Sequence, residues 1–359
     1  MNRIEKVRAL LSKYQIEALV IDNPLDLYYL TGLDFSMGRL VITDEGPTLY
    51  VDGRYYEAAR KALFFPVILS QGYHETSPFA ESWSFAGKKV GFDGQTTSYA
   101  SYLELQQLKS EWIPLDAPVK WVRAVKEEEE IKTIKKASLL GSVGFDHVIS
   151  LLEEGITEEK LALELELFWR KNGGERLSFS PLIAFGENAA FPHHRADKRA
   201  LKKGDVVLID IGVVYDHYHS DMTRVVFFEE VPSILEKIYL IVQEAQSCAL
   251  KACRPGVATE TIDHAARAWI SQSGYGDYFS HGLGHGVGLE IHEFPVLKAK
   301  RKEILQEGMV VTIEPGIYLP GIGGVRLEDE IVITKSGYEN LTSRPLAKTI
   351  PIIKRGAYA

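Results

Sequence analysis

One acidic position recurs in two related apolar stretches, and this duplication restricts what the chain can become more than any other feature of it. Residues 204–212 read GDVVLIDIG and residues 308–316 read GMVVTIEPG. Laying one on the other matches Gly204 with Gly308, Val206 with Val310, Val207 with Val311, Ile209 with Ile313 and Gly212 with Gly316, and sets Asp210 on Glu314. Such β-branched runs predict core strands. An ionised carboxylate taken out of water costs on the order of several kcal/mol unless it is paired or bound to a cation. The same acid at the same place in two strands points to one shared task.

The duplication is wider than the strands. EEGITEEKLALELELFWRKNGG, residues 153–174, lines up with RPGVATETIDHAARAWISQSGY, residues 254–275, matching Gly155 with Gly256, Leu161 with Ile262, Phe168 with Trp269 and Gly173 with Gly274. Each copy predicts a helix that follows a longer helix and precedes the strand repeat. The region therefore reads as two αβ halves related by a pseudo-twofold axis, with sheets packed together, helices outside and a site between the halves.

Ahead of the duplication lies a different pattern. Helices are expected at Arg3–Tyr14, Tyr55–Leu63 and Tyr99–Lys109, and strands at Ala18–Ile21, Arg39–Ile42, Thr48–Val51, Val67–Leu69 and Lys89–Phe92. That is a small α/β domain with a mixed sheet. After the Pro-containing stretch WIPLDAPVKWVRAVK, a long helix opens with Glu127–Glu130, a charge run suited to the positive end of a helix dipole. The 359 residues exceed what one core comfortably supports, so two domains are expected, 1–122 and 123–359.

A net charge of −8 and a pI near 5.8 argue against a general nucleic-acid or anionic-membrane partner. The N-terminal stretch lacks the apolar centre of a signal peptide, and no apolar run approaches transmembrane length. The two cysteines, Cys248 and Cys253, are expected as free thiols, in keeping with a cytoplasmic location.

Each half adds a second acid. In LIDIGVVYDHYHSDMTRVVFF a tight turn near Tyr215 and Asp216 would set Asp210 across from Asp221. In TIEPGIYLPGIGGVRLEDEIVI a turn centred on Gly321 would set Glu314 across from Glu328. Four carboxylates brought together repel, and cations are their natural compensation. Oxygen-rich ligands suit Mn²⁺ or Mg²⁺, and a histidine among them moves the balance toward Mn²⁺, Co²⁺ or Zn²⁺. Eight of the ten histidines fall between positions 193 and 292, most densely in HGLGHGVGLEIHE with His281, His285 and His292.

Asp210, Asp221, His285, Glu314 and Glu328 together resemble the five-ligand, two-metal pattern of the pita-bread metallopeptidases, the family of methionine aminopeptidase, aminopeptidase P and prolidase. The resemblance covers essentially the whole chain and implies an α/β (α+β) fold, with a creatinase-type N-terminal domain before a pseudo-twofold pita-bread catalytic domain. It implies two divalent ions, Mn²⁺ first with Co²⁺ or Zn²⁺ as alternatives, and a homodimer. Glu314 would also act as general acid–base. His193 in FPHHRAD would contact the substrate near the scissile bond, and His292 would hydrogen-bond the scissile carbonyl. His281 and Arg326 match positions of the proline-specific branch and would belong to the substrate-binding set, whereas His217 and His219 are expected at the surface. The implied substrate is a peptide with proline at the second position. Xaa-Pro aminopeptidase is the leading activity, partly because YVDGRYYEAA, residues 50–59, resembles a segment of aminopeptidase P-like N-terminal domains. Xaa-Pro dipeptidase is the alternative within the family, and a noncatalytic peptide-binding module is the alternative of another class.

Overall fold

The structure is a computed structural model that describes residues 2–70, 78–346 and 349–354. The chain divides into two compact units, Met1–Arg123 and Ala124–Ala359.

The first unit is built on a six-stranded mixed sheet in the order Val67–Leu69, Gly46–Val51, Arg39–Thr43, Ala18–Ile21, Lys89–Asp93, Glu111–Leu115. Its core gathers Ala18, Val20, Val41, Val90, Phe92 and Leu105. The helices and strands expected between residues 3 and 109 all form, within a few residues at their ends. Several elements are additional. The helix Pro24–Thr31 is short, but its ends are well marked: Asn23 accepts from Leu25 N and Asp26 N, Pro24 opens the first turn, and Gly32 closes the last at φ 73°. The strand Glu111–Leu115 contains Pro114, which is tolerated because the strand lies at the sheet edge. In the 50–59 segment Asp52 pairs with Arg54 (2.7 Å) and its side chain also accepts from Arg54 N, so neither residue is simply solvated.

The second unit carries the duplication. Helices Glu128–Ser150 and Glu158–Lys171 serve one half, Ser233–Ala252 and Thr259–Gln272 the other. The first half contributes a four-stranded sheet around Val206–Ile211 and Met222–Phe228, the second a five-stranded sheet around Val310–Ile313 and Asp329–Ile333. The backbone repeats in detail: Gly155 N bonds Leu201 O and Gly256 N bonds Leu305 O, each at 2.9 Å, while Thr157 bridges Ala200 as Ala258 bridges Ile304. The glycines that open the two strand repeats take φ of 85° at Gly204 and 87° at Gly308, a left-handed conformation that favours glycine.

Side chains alternate across a strand, and the two cores divide accordingly. Val207, Ile209 and Ile211 pack with Phe145, Leu161 and Trp169 of the first helix pair. Val311 and Ile313 pack with Val242, Ile262 and Ala266 of the second. Asp210 and Glu314 have the opposite parity, which turns them away from the helices of their own half. This is the physical reason an acid can stand at the end of each apolar run.

The second hairpin has the expected register. Val310 pairs Val332 and Ile313 pairs Asp329, then Gly316 pairs Arg326, so the same register sets Glu314 opposite Glu328. The first hairpin differs. Its turn falls on Asp216 and His217, both with positive φ (48° and 68°), as a two-residue primed turn requires. Moving the turn by one residue moves the pairing by two, and Asp210 faces Thr223 rather than Asp221. His219 also differs from its expected surface place: it is buried, and burial pushes its ring down to about 4. Among the described residues no helix is long and apolar enough to cross a membrane.

Candidate metal centre

The acids sit where the ladders break. Asp221 immediately precedes Met222–Phe228, Glu314 immediately follows Val310–Ile313, and Glu328 immediately precedes Asp329–Ile333. His285 lies in the short strand Gly284–Gly286, which pairs with both Glu293–Leu297 and Val310–Ile313. Glycine is required on either side of it: a Cβ at Gly284 would collide with Thr312 O, and one at Gly286 with Phe294 O. The two glycines flanking His285 therefore let strands approach closely.

These residues converge. His285 Nε2 stands 3.6 Å from Asp221 Oδ2 and 3.5 Å from Glu314 Oε1. One ligand atom each from Asp221, His285 and Glu328 lies within 4.8 Å of the others. His285 Nδ1 donates to Gly286 O at 3.0 Å, which leaves the Nε2 lone pair on the side of the acids. Burial, then His292, pushes this imidazole down to about 3, so it is neutral at neutral pH and able to ligate.

The carboxylates show the strain of their own company. Burial and then the charge of Glu328 hold Asp221 and Glu314 well above the usual carboxylate range. Burial and then Asp210 push Glu328 up to about 8. Compensation from within the chain is partial. Arg326 pairs with Asp210 through Nη2, and Thr223 Oγ1 donates to Glu328 Oε2 at 2.7 Å. Asp210 Oδ1 is buried with no hydrogen-bond partner among the described residues. An orphaned carboxylate oxygen, three further acids and a neutral imidazole nitrogen form a donor set that fits divalent cations.

The remaining sequence candidates gather on the same side. His292 is exposed and stacks edge-on against His285, ring centroids 4.3 Å apart. Burial and then His193 lower its pKa, which places His193 near it. His281 is engaged at both nitrogens: Nδ1 donates to Gly282 O (2.7 Å) and Nε2 accepts from Tyr318 Oη (2.8 Å). Tyr318 in turn accepts from Arg326 Nη1 (2.7 Å). Arg326 is buried and also donates from Nε to Thr223 Oγ1 (3.1 Å). Thr223 and Tyr318 were not among the sequence candidates. The signal for Thr223 was its place across from Asp210, which only the true register reveals.

The pattern of Metallopeptidase family M24 matches residues 132–335, and that of the Creatinase/Prolidase N-terminal domain matches residues 3–125. The chain belongs to metallopeptidase family M24, and it is a peptidase of the creatinase-type two-domain form. It is 37% identical to an Xaa-Pro dipeptidase of Pyrococcus furiosus over 95% of this chain and 97% of that one. Among solved structures it resembles an Xaa-Pro dipeptidase from Bacillus anthracis (TM-score 0.92, 35% identity, 98% and 99% of the two chains). An X-Pro aminopeptidase from Thermotoga maritima is also similar (TM-score 0.85, 32% identity, 95% and 98%).

Proposed function

We propose that this peptidase hydrolyses the bond between an N-terminal residue and a following proline, with the Xaa-Pro dipeptide as its substrate. The observation that carries the reading is the clustering of Asp221, His285 and Glu328, with Glu314 3.5 Å from His285, together with an Asp210 oxygen that has no hydrogen-bond partner among the described residues. These five would hold two divalent cations, Mn²⁺ before Co²⁺ or Zn²⁺. When bound, such cations supply Lewis-acid chemistry, polarising a carbonyl and lowering the pKa of water from about 16 toward about 7.

The chain's own residues do the rest. Glu314, oriented by Thr312 Oγ1 at 3.3 Å, takes the proton of the attacking water and passes it to the leaving proline nitrogen. That nitrogen carries no hydrogen in the substrate and leaves as an N–H amine, so the water proton relayed by Glu314 completes the step. His193 and His292, exposed beside the acids, hold the peptide and donate to the carbonyl oxygen as charge develops on it. Arg326 fixes Asp210, and Tyr318 ties Arg326 to His281. With both ring nitrogens engaged, His281 shapes the site through Tyr318 rather than by bonding substrate directly.

The dipeptide is preferred over a longer peptide because the relatives from Pyrococcus furiosus and Bacillus anthracis carry that activity in their names. The aminopeptidase reading retains support from the Thermotoga maritima relative, which covers 95% of the chain. A homodimer and a cytoplasmic location complete the reading, the latter in keeping with two free thiols. The test is release of the N-terminal residue from Xaa-Pro and Xaa-Pro-Yaa by metal-stripped protein with and without Mn²⁺. Metal-dependent cleavage confined to the dipeptide is expected. Cleavage of the tripeptide would make the enzyme an aminopeptidase, and cleavage of neither by the loaded protein would return the noncatalytic binding module.

A further inference from the structure

Glu158 is fully buried at the start of helix Glu158–Lys171, behind the N-cap Thr157. A carboxylate in a first turn favours the helix dipole, yet its oxygens are committed elsewhere. Oε1 accepts from Phe185 N (2.7 Å) and Asn188 Nδ2 (3.0 Å); Oε2 accepts from His194 Nε2 (2.6 Å) and Asp197 N (3.1 Å). All four donors belong to residues 185–197. This segment has no helix or strand beyond Ala190 and carries His193, exposed, next to the anchored His194.

The duplication isolates what the acid is for. The backbone closes identically in both halves: Glu159 N bonds Asp197 O, and Glu260 N bonds Arg301 O, each at 3.0 Å. The residue matched to Glu158 is Thr259, whose hydroxyl among the described residues reaches Arg301 O and Glu303 Oε2, both at 3.3 Å. The turn therefore forms without a carboxylate. In the first half the carboxylate instead gathers four N–H donors from residues 185–197, the segment that carries His193. Ligand atoms of Glu158, His194 and Asp197 also approach within 4.8 Å of one another. A carboxylate has about four lone-pair sites, and here all are taken by N–H donors, so this cluster is an anchor and not an ion site.

We propose that Glu158, acting through His194 and the backbone of Asp197, is the positioning residue that holds His193 against the scissile bond. The proposal rests on the substrate role given to His193 above. On the other side of His193, Arg326 Nη1 donates to Pro192 O at 3.5 Å, so the segment is held from two directions.

In the metal-loaded enzyme, Glu158→Gln is expected to lower kcat about 10–100-fold, the range found when a supporting partner of a site residue is lost, with KM and metal content nearly unchanged. In a His193→Ala background the same substitution should have no further effect on kcat. His194→Ala should act in the same direction and serves if Glu158→Gln does not fold. His194→Gln, which restores an N–H donor, should recover part of the loss. An equal fall in kcat with and without His193 overturns the proposal, and so does wild-type kcat in Glu158→Gln. Amide exchange across residues 186–197 separates the two ideas. It should quicken in Glu158→Gln whatever His193→Ala does to turnover, and unchanged exchange also overturns the anchor. Full activity of His193→Ala with quickened exchange would instead sink the substrate role of His193.

Discussion

The two halves of the catalytic unit share a backbone and divide the chemistry unequally. In the second half Glu314 and Glu328 stand opposite each other across the hairpin. In the first half the turn at Asp216–His217 sets Asp210 opposite Thr223, which leaves Asp221 two residues nearer the turn. Each half also lends a side chain to the other's acid: Arg326 of the second pairs with Asp210 of the first, and Thr223 of the first donates to Glu328 of the second. Neither half holds a complete site. Duplication has preserved the glycine turns and helix seats, where the backbone alone decides, and has let side chains diverge at the shared inner face.

If the halves are equal partners in one metal centre, Asp210→Asn and Glu314→Gln should both remove turnover, well beyond the about 10–100-fold typical of losing a supporting partner. Assays of each purified variant with confirmed folding would check this. Near-normal activity in either would make the site the property of one half.

A second way to probe the comparison is pH. Glu328, pushed up to about 8, and its neighbours Asp221 and Glu314 hold protons in the metal-free folded chain that they lose when unfolded. The stability tied to these raised groups is fully present below their unfolded values and is lost as pH rises through the folded ones. His281, His285 and His219 are lowered to about 4, 3 and 4, so their effect lies below their ordinary value of 6.5. Between about pH 6.5 and 8 the acids act alone, and the Tm of metal-free protein should fall as pH rises. Excess Mn²⁺ should flatten the slope, because metal binding displaces those protons. A flat or rising Tm in the metal-free protein would contradict the crowding of the four carboxylates.

The smallest expected effect sharpens the contrast at the helix starts. Thr259→Val should lower stability by about 0.5–1.5 kcal/mol, the net worth of an ordinary hydrogen bond, while leaving kcat and KM unchanged. A kinetic defect there as large as that of Glu158→Gln would erase the distinction between the halves.

Much of this was legible in the chain. The repeated acid, the glycine pairs and the helix repeats carry the pseudo-twofold, because strand parity and left-handed turns leave marks at fixed spacing. Register was legible only where the turn was. Gly321 marks the second hairpin, whereas Asp216 and His217 adopt positive φ without a glycine to announce it, and the first pairing was misplaced by two residues. His219 and Tyr318 were missed for a different reason: their burial and partners are set by residues distant in sequence. Glu158 carries no distinguishing mark in the sequence, and only the four donors converging on it reveal its place.

The most direct test of a centre shared by the halves is titration of metal-stripped protein with Mn²⁺, following bound metal and Xaa-Pro hydrolysis together. The account predicts two ions per chain, hydrolysis that appears only on loading, and loss of both binding and hydrolysis in Asp210→Asn as in Glu314→Gln. Hydrolysis by the stripped protein, or full loading of either variant, would contradict it.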